Sequence, residues 1–335
     1  MTLDVLPRRQ AGRPAVNPTE LAERALTRAR HPVARLVSLA EDSRSHASAT
    51  CDEVIAVLEA DAERRNHVAR VLGVTGSPGS GKSSLLSRVT NAMVAADPEL
   101  TVAVVAVDPS SPTSGGSLLG DRARMVLDGA QDRIYFRSQA SATALGGLAP
   151  TTFQVCRALS LIFDCVIVET VGVGQSEADV RHLADRVFLV MAPLGGDEIQ
   201  YLKAGIIEIP DAFVVNKWDE PAATRTYHQL RGSLWLARPS DAHTIPIYRT
   251  SAKTGHGIDD LAHGFLSMVT AANATPVRER APHFFTAWVR DEWGGVGARH
   301  LAERLGGARA FLATQDGFAS ARRCFDASIR AALHE

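Results

Sequence analysis

Seven short runs of nearly continuous apolar residues punctuate the middle of the chain. They are VARVLGVT (68–75), TVAVVAVD (101–108), RIYFRS (133–138), DCVIVET (164–170), RVFLVMA (186–192), DAFVVN (211–216) and TIPIYRT (244–250). Continuous rather than alternating apolarity marks strands covered on both faces, so the runs predict a largely parallel sheet with helices between its strands. Upstream, apolar residues recur at helical spacing from Thr19 to Arg65, for example Leu21, Ala25 and Leu26, then Val54, Ile55, Val57 and Leu58. That pattern predicts two or three helices with breaks near Pro32 and Ser45. From about Thr275 the periodicity is again helical and no strand is evident. The expected organisation is a disordered tail (1–18), an N-terminal helical segment (19–66), an α/β domain (67–272) and a C-terminal helical segment (273–335), with no internal repeat.

Composition narrows the classes. The chain has 335 residues, 45% of them hydrophobic and 22% charged, which is ordinary for a globular protein of roughly two domains. Its formal net charge of -1 provides no global field toward nucleic acid or an anionic membrane, so neither is expected as a partner. Cys51, Cys156, Cys165 and Cys324 lack metal-ligand or redox spacing and read as buried, reduced thiols. With no signal-peptide core and no apolar run of about 18 residues, the expected location is the cytosol.

The chemistry begins after the first strand. Gly76-Ser77-Pro78-Gly79-Ser80-Gly81-Lys82-Ser83 matches GxxxxGK[ST] and leads, through Ser84, into a helix-forming segment. A chance match in a chain this long arises about once in a hundred, so a plain glycine turn is disfavoured. Glycines let backbone N–H groups approach phosphates, the lysine neutralises β and γ oxygens, and the serine hydroxyl reaches Mg²⁺.

Two further motifs name the base. Asn216-Lys217-Trp218-Asp219 is NKxD at the end of one apolar run, and Ser251-Ala252-Lys253 follows the next, so both fall at the carboxyl edge of the sheet. The aspartate accepts two hydrogen bonds from guanine, the Asn and Lys support loop and ring, and the SAK backbone meets the guanine oxygen. Adenine would leave the carboxylate unpaired, a penalty that supports discrimination of about 10⁴ to 10⁵. A third phosphate element is Glu169-Thr170-Val171-Gly172, where an ordinary GTPase has DxxG. Val173 follows the glycine where a Ras-type protein has its water-positioning glutamine, and Gln175 lies two residues further on.

Together, AVDPSSPTSGGSLLGDRARM, ETVGVGQSE, GDEIQYLKAGIIEIPD and NKWD resemble the methylmalonyl-CoA mutase-associated GTPases, the MeaB/ArgK-type members of the SIMIBI class of P-loop NTPases. The resemblance covers about 72–266. It implies a mostly parallel α/β sheet flanked by helices with helical extensions at both ends. It also implies a Mg²⁺-dependent GTPase that chaperones an adenosylcobalamin-dependent acyl-CoA mutase, gating cofactor loading and protecting or reactivating the mutase. Ser83, Asp108, Asp121 and Glu169 match the family's Mg²⁺ and switch positions. Asp197, Glu198, Gln200 and Lys203 fall in a segment resembling its extra switch, which makes Lys82, Asp108, Glu169 and Lys203 the candidate catalytic residues. The segment departs from the common pattern, with Leu194 and Tyr201 in place of glycines and Ala204 in place of a lysine. SQASATALGGLA (138–149) is altered as well, so the partner surface has diverged more than the phosphate chemistry.

Phe284, Phe285, Trp288 and Trp293 occur near helical spacing and read as a core or dimer face. The C-terminal segment resembles a dimerisation arm, which implies a homodimer. Two alternatives carry different signatures: a metallochaperone GTPase has clustered His or Cys, and a transport-associated kinase uses ATP, against which NKxD argues.

Overall fold

The computed structural model describes residues 17–42, 44–108, 133–140, 148, 150–170, 175–193, 206–270 and 275–334. The N-terminal segment forms α1 (Pro18–Leu26), α2 (Arg30–Glu41) and α3 (Ser45–Arg65). Asn17 caps α1, its side chain accepting from Glu20 N at 3.2 Å, and Pro18 follows at the first helical position. The first break lies at residues 27–29 rather than at Pro32, which sits in the first turn of α2, where a missing N–H costs no helical hydrogen bond. Asn66, in left-handed conformation (φ 51°), closes α3 and turns the chain toward the sheet.

All seven apolar runs become strands: β1 (Arg70–Thr75), β2 (Val102–Asp108), β3 (Ile134–Ala140), β4 (Cys165–Thr170), β5 (Arg186–Met191), β6 (Ala212–Val215) and β7 (Ile247–Arg249). They form one parallel sheet in the order β3-β2-β4-β1-β5-β6-β7. Among the described residues, α4 (Lys82–Ala96), α5 (Pro150–Ser160), α6 (Gln175–Leu183) and α7 (Ala223–Ala237) lie between strands, and α8 (Ile258–Thr270) follows β7. Parallel pairing needs crossovers, and the helices bury β1, β4 and β6 along their whole length, which explains the unbroken apolarity of these inner strands, whereas the edge strand β7 is only partly covered. On one face Leu72 and Val74 of β1 pack with Leu85, Val89 and Met93 of α4 and with Leu261 and Phe265 of α8. Val71 points to the opposite layer with Val105, Val166 and Val168.

That opposite layer gathers both chain ends. After a short 3₁₀ turn (Val277–Arg280), the C-terminal segment forms α9 (Ala281–Glu303), α10 (Ala308–Leu312) and α11 (Phe318–His334). α1–α3, α5, α6 and α9–α11 share one apolar core with the sheet. Phe285 is fully buried and meets the rings of Trp288, Phe311, Phe318 and Phe325, while Phe284 stacks on Phe153 of α5 at 4.8 Å. Three of the four C-terminal aromatics are therefore intramolecular core. Trp293 is partly buried, and its indole N–H donates to Asp326 at 2.9 Å.

Cys51, Cys156 and Cys165 are buried, and burial pushes the first two thiols up to about 12 and raises the third. Cys324 departs from the expectation: it is exposed, on the outer side of α11. Among the described residues no helix is long and apolar enough to cross a membrane.

Candidate nucleotide-binding site

Parallel pairing places the carboxyl ends of β1, β4, β6 and β7 along one edge, and the motif residues sit there. The loop from Gly76 to Gly81 joins β1 to α4. Gly76 (φ 149°) runs so close to β5 that a Cβ would lie 2.0 Å from the Val190 carbonyl oxygen. Gly81 (φ 86°) leaves room for Asn216, whose Nδ2 would be 2.6 Å from an added Cβ. The glycines are thus required by left-handed backbone and by close approach of other elements.

Lys82 opens α4 and is buried, its Nζ donating to the Gly76 and Ser77 carbonyls at 2.7 and 2.9 Å. The ammonium thus lies across the loop it follows. Ser80 is buried and its hydroxyl donates to Ser77 O at 2.8 Å; Pro78, Gly79 and Ser84 are exposed. Ser83 donates its hydroxyl to Glu169 Oε1 at 2.8 Å, joining the start of α4 to the end of β4 across 86 positions of sequence. Both are hard oxygen donors of the kind Mg²⁺ takes.

Asn216 is the hub between phosphate loop and base loops. It is buried, donates through Nδ2 to Ser80 O at 2.8 Å, and accepts through Oδ1 from Thr250 Oγ1 and Ala252 N, both at 3.3 Å. Lys217 follows in left-handed conformation (φ 54°), with Nζ 4.0 Å from Glu220. Asp219 accepts from the Ser251 hydroxyl at 2.6 Å, and Lys253 Nζ is 4.0 Å from its other oxygen. The Ser251 hydrogen bond is the main reason the Asp219 carboxyl lies below the usual carboxylate range, with Lys253 and Lys217 adding to it.

Of the remaining candidates, Asp108 ends β2, one strand beyond β4; its backbone pairs with Ala140 and its side chain lies outside the described residues. Asp121, Gly172, Asp197, Glu198, Gln200 and Lys203 also lie outside them. Sequence reasoning missed one participant, Thr250, and the side-chain role of another, Ser251. Thr250 is fully buried and ties Asn216 to the SAK loop, a role the Thr before SAK could have signalled. Ser251 acts through its side chain as well as its backbone, because its hydroxyl also accepts from Thr254 N at 3.1 Å. Beside the base loops Arg249 lies 5.5 Å from the ring centre of Trp218 and 5.8 Å from that of Tyr227.

A parallel sheet carrying a glycine phosphate loop, NKxD and SAK on one edge defines a P-loop GTPase that binds GTP and GDP. The chain belongs to the family of methylmalonyl Co-A mutase-associated GTPases, MeaB, whose profile matches residues 33–292. A protein of Pyrococcus horikoshii provisionally named a GTPase is 39% identical, over 72% of this chain and 74% of its own. The mouse mitochondrial methylmalonic aciduria type A homolog is 34% identical, over 65% of this chain and 54% of its own. A solved structure of a LAO/AO transport system kinase shares the fold, with a TM-score of 0.60 at 24% identity over 96% of this chain and all of that one.

Proposed function

We propose that this GTPase is a chaperone of an adenosylcobalamin-dependent acyl-CoA mutase, methylmalonyl-CoA mutase or a relative, coupling GTP hydrolysis to cofactor loading and to protection or reactivation of that enzyme. Family membership and the mouse relative support the choice of client. The observation that carries the coupling is the Ser83–Glu169 contact. Glu169 stands next to the end of β4, six positions before α6 begins at Gln175, and α6 is built into the helical layer. Val180 and Leu183 share its core, and His182 stacks on His283 of α9 with ring centres 3.7 Å apart. A change of position at Glu169 therefore has a short covalent route into the helices of both chain ends.

In this reading the residues of 76–84 cradle the phosphates, Lys82 neutralises the β and γ oxygens, and Asp219 reads guanine with Asn216, Lys217 and the 251–253 loop in support. Ser83 and Glu169, with Asp108 and Asp121, hold Mg²⁺, and the adjacent hydroxyl and carboxylate fit that ion's preference for few protein oxygens. Bound there, Mg²⁺ supplies charge neutralisation of the phosphates. Gly172 serves the γ-phosphate side, and Lys203, with Asp197, Glu198 and Gln200, links nucleotide state to the mutase. The protein works in the cytosol as a homodimer through its C-terminal segment.

The test is GTP turnover of the purified protein with and without an acyl-CoA mutase from the same organism. A rise in turnover with mutase is expected, and replacing Asp197 and Glu198 together by alanine should remove that rise while basal hydrolysis persists. Absence of binding or of any GTPase response to every acyl-CoA mutase of that organism would refute the chaperone role and leave the GTPase.

A further inference from the structure

Parallel strands have two unlike edges, and the edge opposite the nucleotide site carries its own concentration of charge. Arg70 begins β1, so it lies about 17 Å along that strand from Thr75, where the phosphate loop starts. A cleft of about 390 Å³ opens there, lined by four arginines (Arg70, Arg181, Arg186 and Arg280), one aspartate (Asp185) and apolar surface that includes Met268. We infer that this cleft is a second anion site, made for a small oxyanion of the phosphate or carboxylate kind and independent of guanine nucleotide.

The acids nearby are already engaged. Asp185 accepts from Arg280 through Oδ1 and from Val71 N through Oδ2 at 2.8 Å. Asp211, behind the cleft, accepts from Arg181 at 2.5 Å and from Val187 N at 2.8 Å, with Arg186 3.6 Å from its other oxygen. Both carboxylates therefore hold strand starts in place as well as arginines. Arg280 is the decisive residue. Its side chain is only 9% exposed; Nη2 reaches Asp185 and the Thr275 carbonyl, the latter at 3.3 Å, while Nη1 has no hydrogen-bond partner among the described residues.

A buried guanidinium with an unmet donor is costly. Burial, opposed by Asp185 and reinforced by Arg70, lowers the basicity of Arg280, which places the two guanidinium groups within each other's field. Arg181 and Arg186 are about half exposed, at 43% and 50%, and form the solvent side of the cleft. An oxyanion entering between the inner and outer arginines meets forked donors suited to two-oxygen recognition. On the α9 side His283 does not add charge near neutrality, because burial and then His182 hold it below the ordinary histidine value. This site needs neither the mutase nor the GTPase cycle.

The experiment uses the full chain with Mg²⁺ and a saturating non-hydrolysable GTP analogue, so that the phosphate loop is filled. Melting temperature is followed against inorganic phosphate in one arm and succinate in another, at ionic strength matched with sodium chloride. A saturable rise with one or both anions is expected; phosphate alone points to a phosphorylated ligand, succinate alone to a carboxylate, and both to the shared chemistry. Arg280→Gln should weaken the apparent affinity about tenfold or more, the value of one charge-assisted hydrogen bond. Arg186→Ala, at an exposed position whose one backbone contact is a long 3.3 Å bond to the carbonyl of the adjacent Asp185, should fold normally and weaken it in the same direction. No effect beyond chloride, or equal shifts in wild type and both variants, would overturn the inference.

Discussion

Replacing Asn216 by alanine tests the idea that one buried amide makes the phosphate loop and the base loops a single site. The substitution removes the 2.8 Å bond to Ser80 O and the two 3.3 Å bonds from Thr250 Oγ1 and Ala252 N. Asn216 and Thr250 are both buried, so water does not replace these bonds fully. At about 1 to 1.5 kcal/mol for the short bond and about 0.5 kcal/mol for each longer one, the loss is about 2 to 2.5 kcal/mol. If the amide serves chiefly to hold the loops for ligand, that energy appears as a drop in GDP affinity of about 30- to 70-fold. Titration with a fluorescent GDP analogue measures it, and circular dichroism checks that the sheet is intact. Asn216→Asp keeps the acceptors but turns a carboxylate oxygen toward the Ser80 carbonyl, so it should be at least as damaging. A folded Asn216→Ala protein with GDP affinity within twofold of wild type would refute the reasoning.

Asp219→Asn should reduce the preference for guanine over adenine nucleotides while leaving phosphate-dependent affinity largely intact, as read by paired calorimetric titrations. Because the Ser251 hydrogen bond lowers the Asp219 carboxyl from its ordinary 3.8, its ionised form persists above that value and is lost only as pH falls through the lower folded one. Guanine preference should therefore stay level from neutrality to about pH 5, and Ser251→Ala should move the acid limit upward. Lys82→Ala should abolish hydrolysis, whereas Glu169→Gln should retain GDP and lose Mg²⁺-dependent turnover; normal phosphate release by both variants would remove these residues from the chemistry. Phe285→Ala should cost about 3 to 5 kcal/mol in a denaturant titration, because its ring lies inside the chain among four others. A variant that dissociates without loss of protomer stability would place Phe285 in a dimer face instead.

Local order determined much of this protein. Seven apolar runs became seven parallel strands because an apolar run of strand length leaves its mark within a few residues, most clearly in the inner strands β1, β4 and β6, which are buried throughout. The phosphate loop, NKxD and SAK were legible for a related reason: each is a contiguous segment whose backbone geometry and chemistry come from its own residues. Only the tertiary structure decided how these segments meet. Asn216 reaches Ser80 across 136 positions, and Ser251 turns its hydroxyl onto Asp219 across 32, because the strand order brings separate loops to one edge. The C-terminal aromatics had a helical period compatible with a core or a dimer face, and packing against α5 and their own helices placed three of them inside. The four arginines at the far edge come from three separate stretches of chain, around 70, 181–186 and 280, and show no motif. Periodicity records which side of an element is buried, whereas the identity of the neighbour across that surface depends on topology, which no short window of sequence contains.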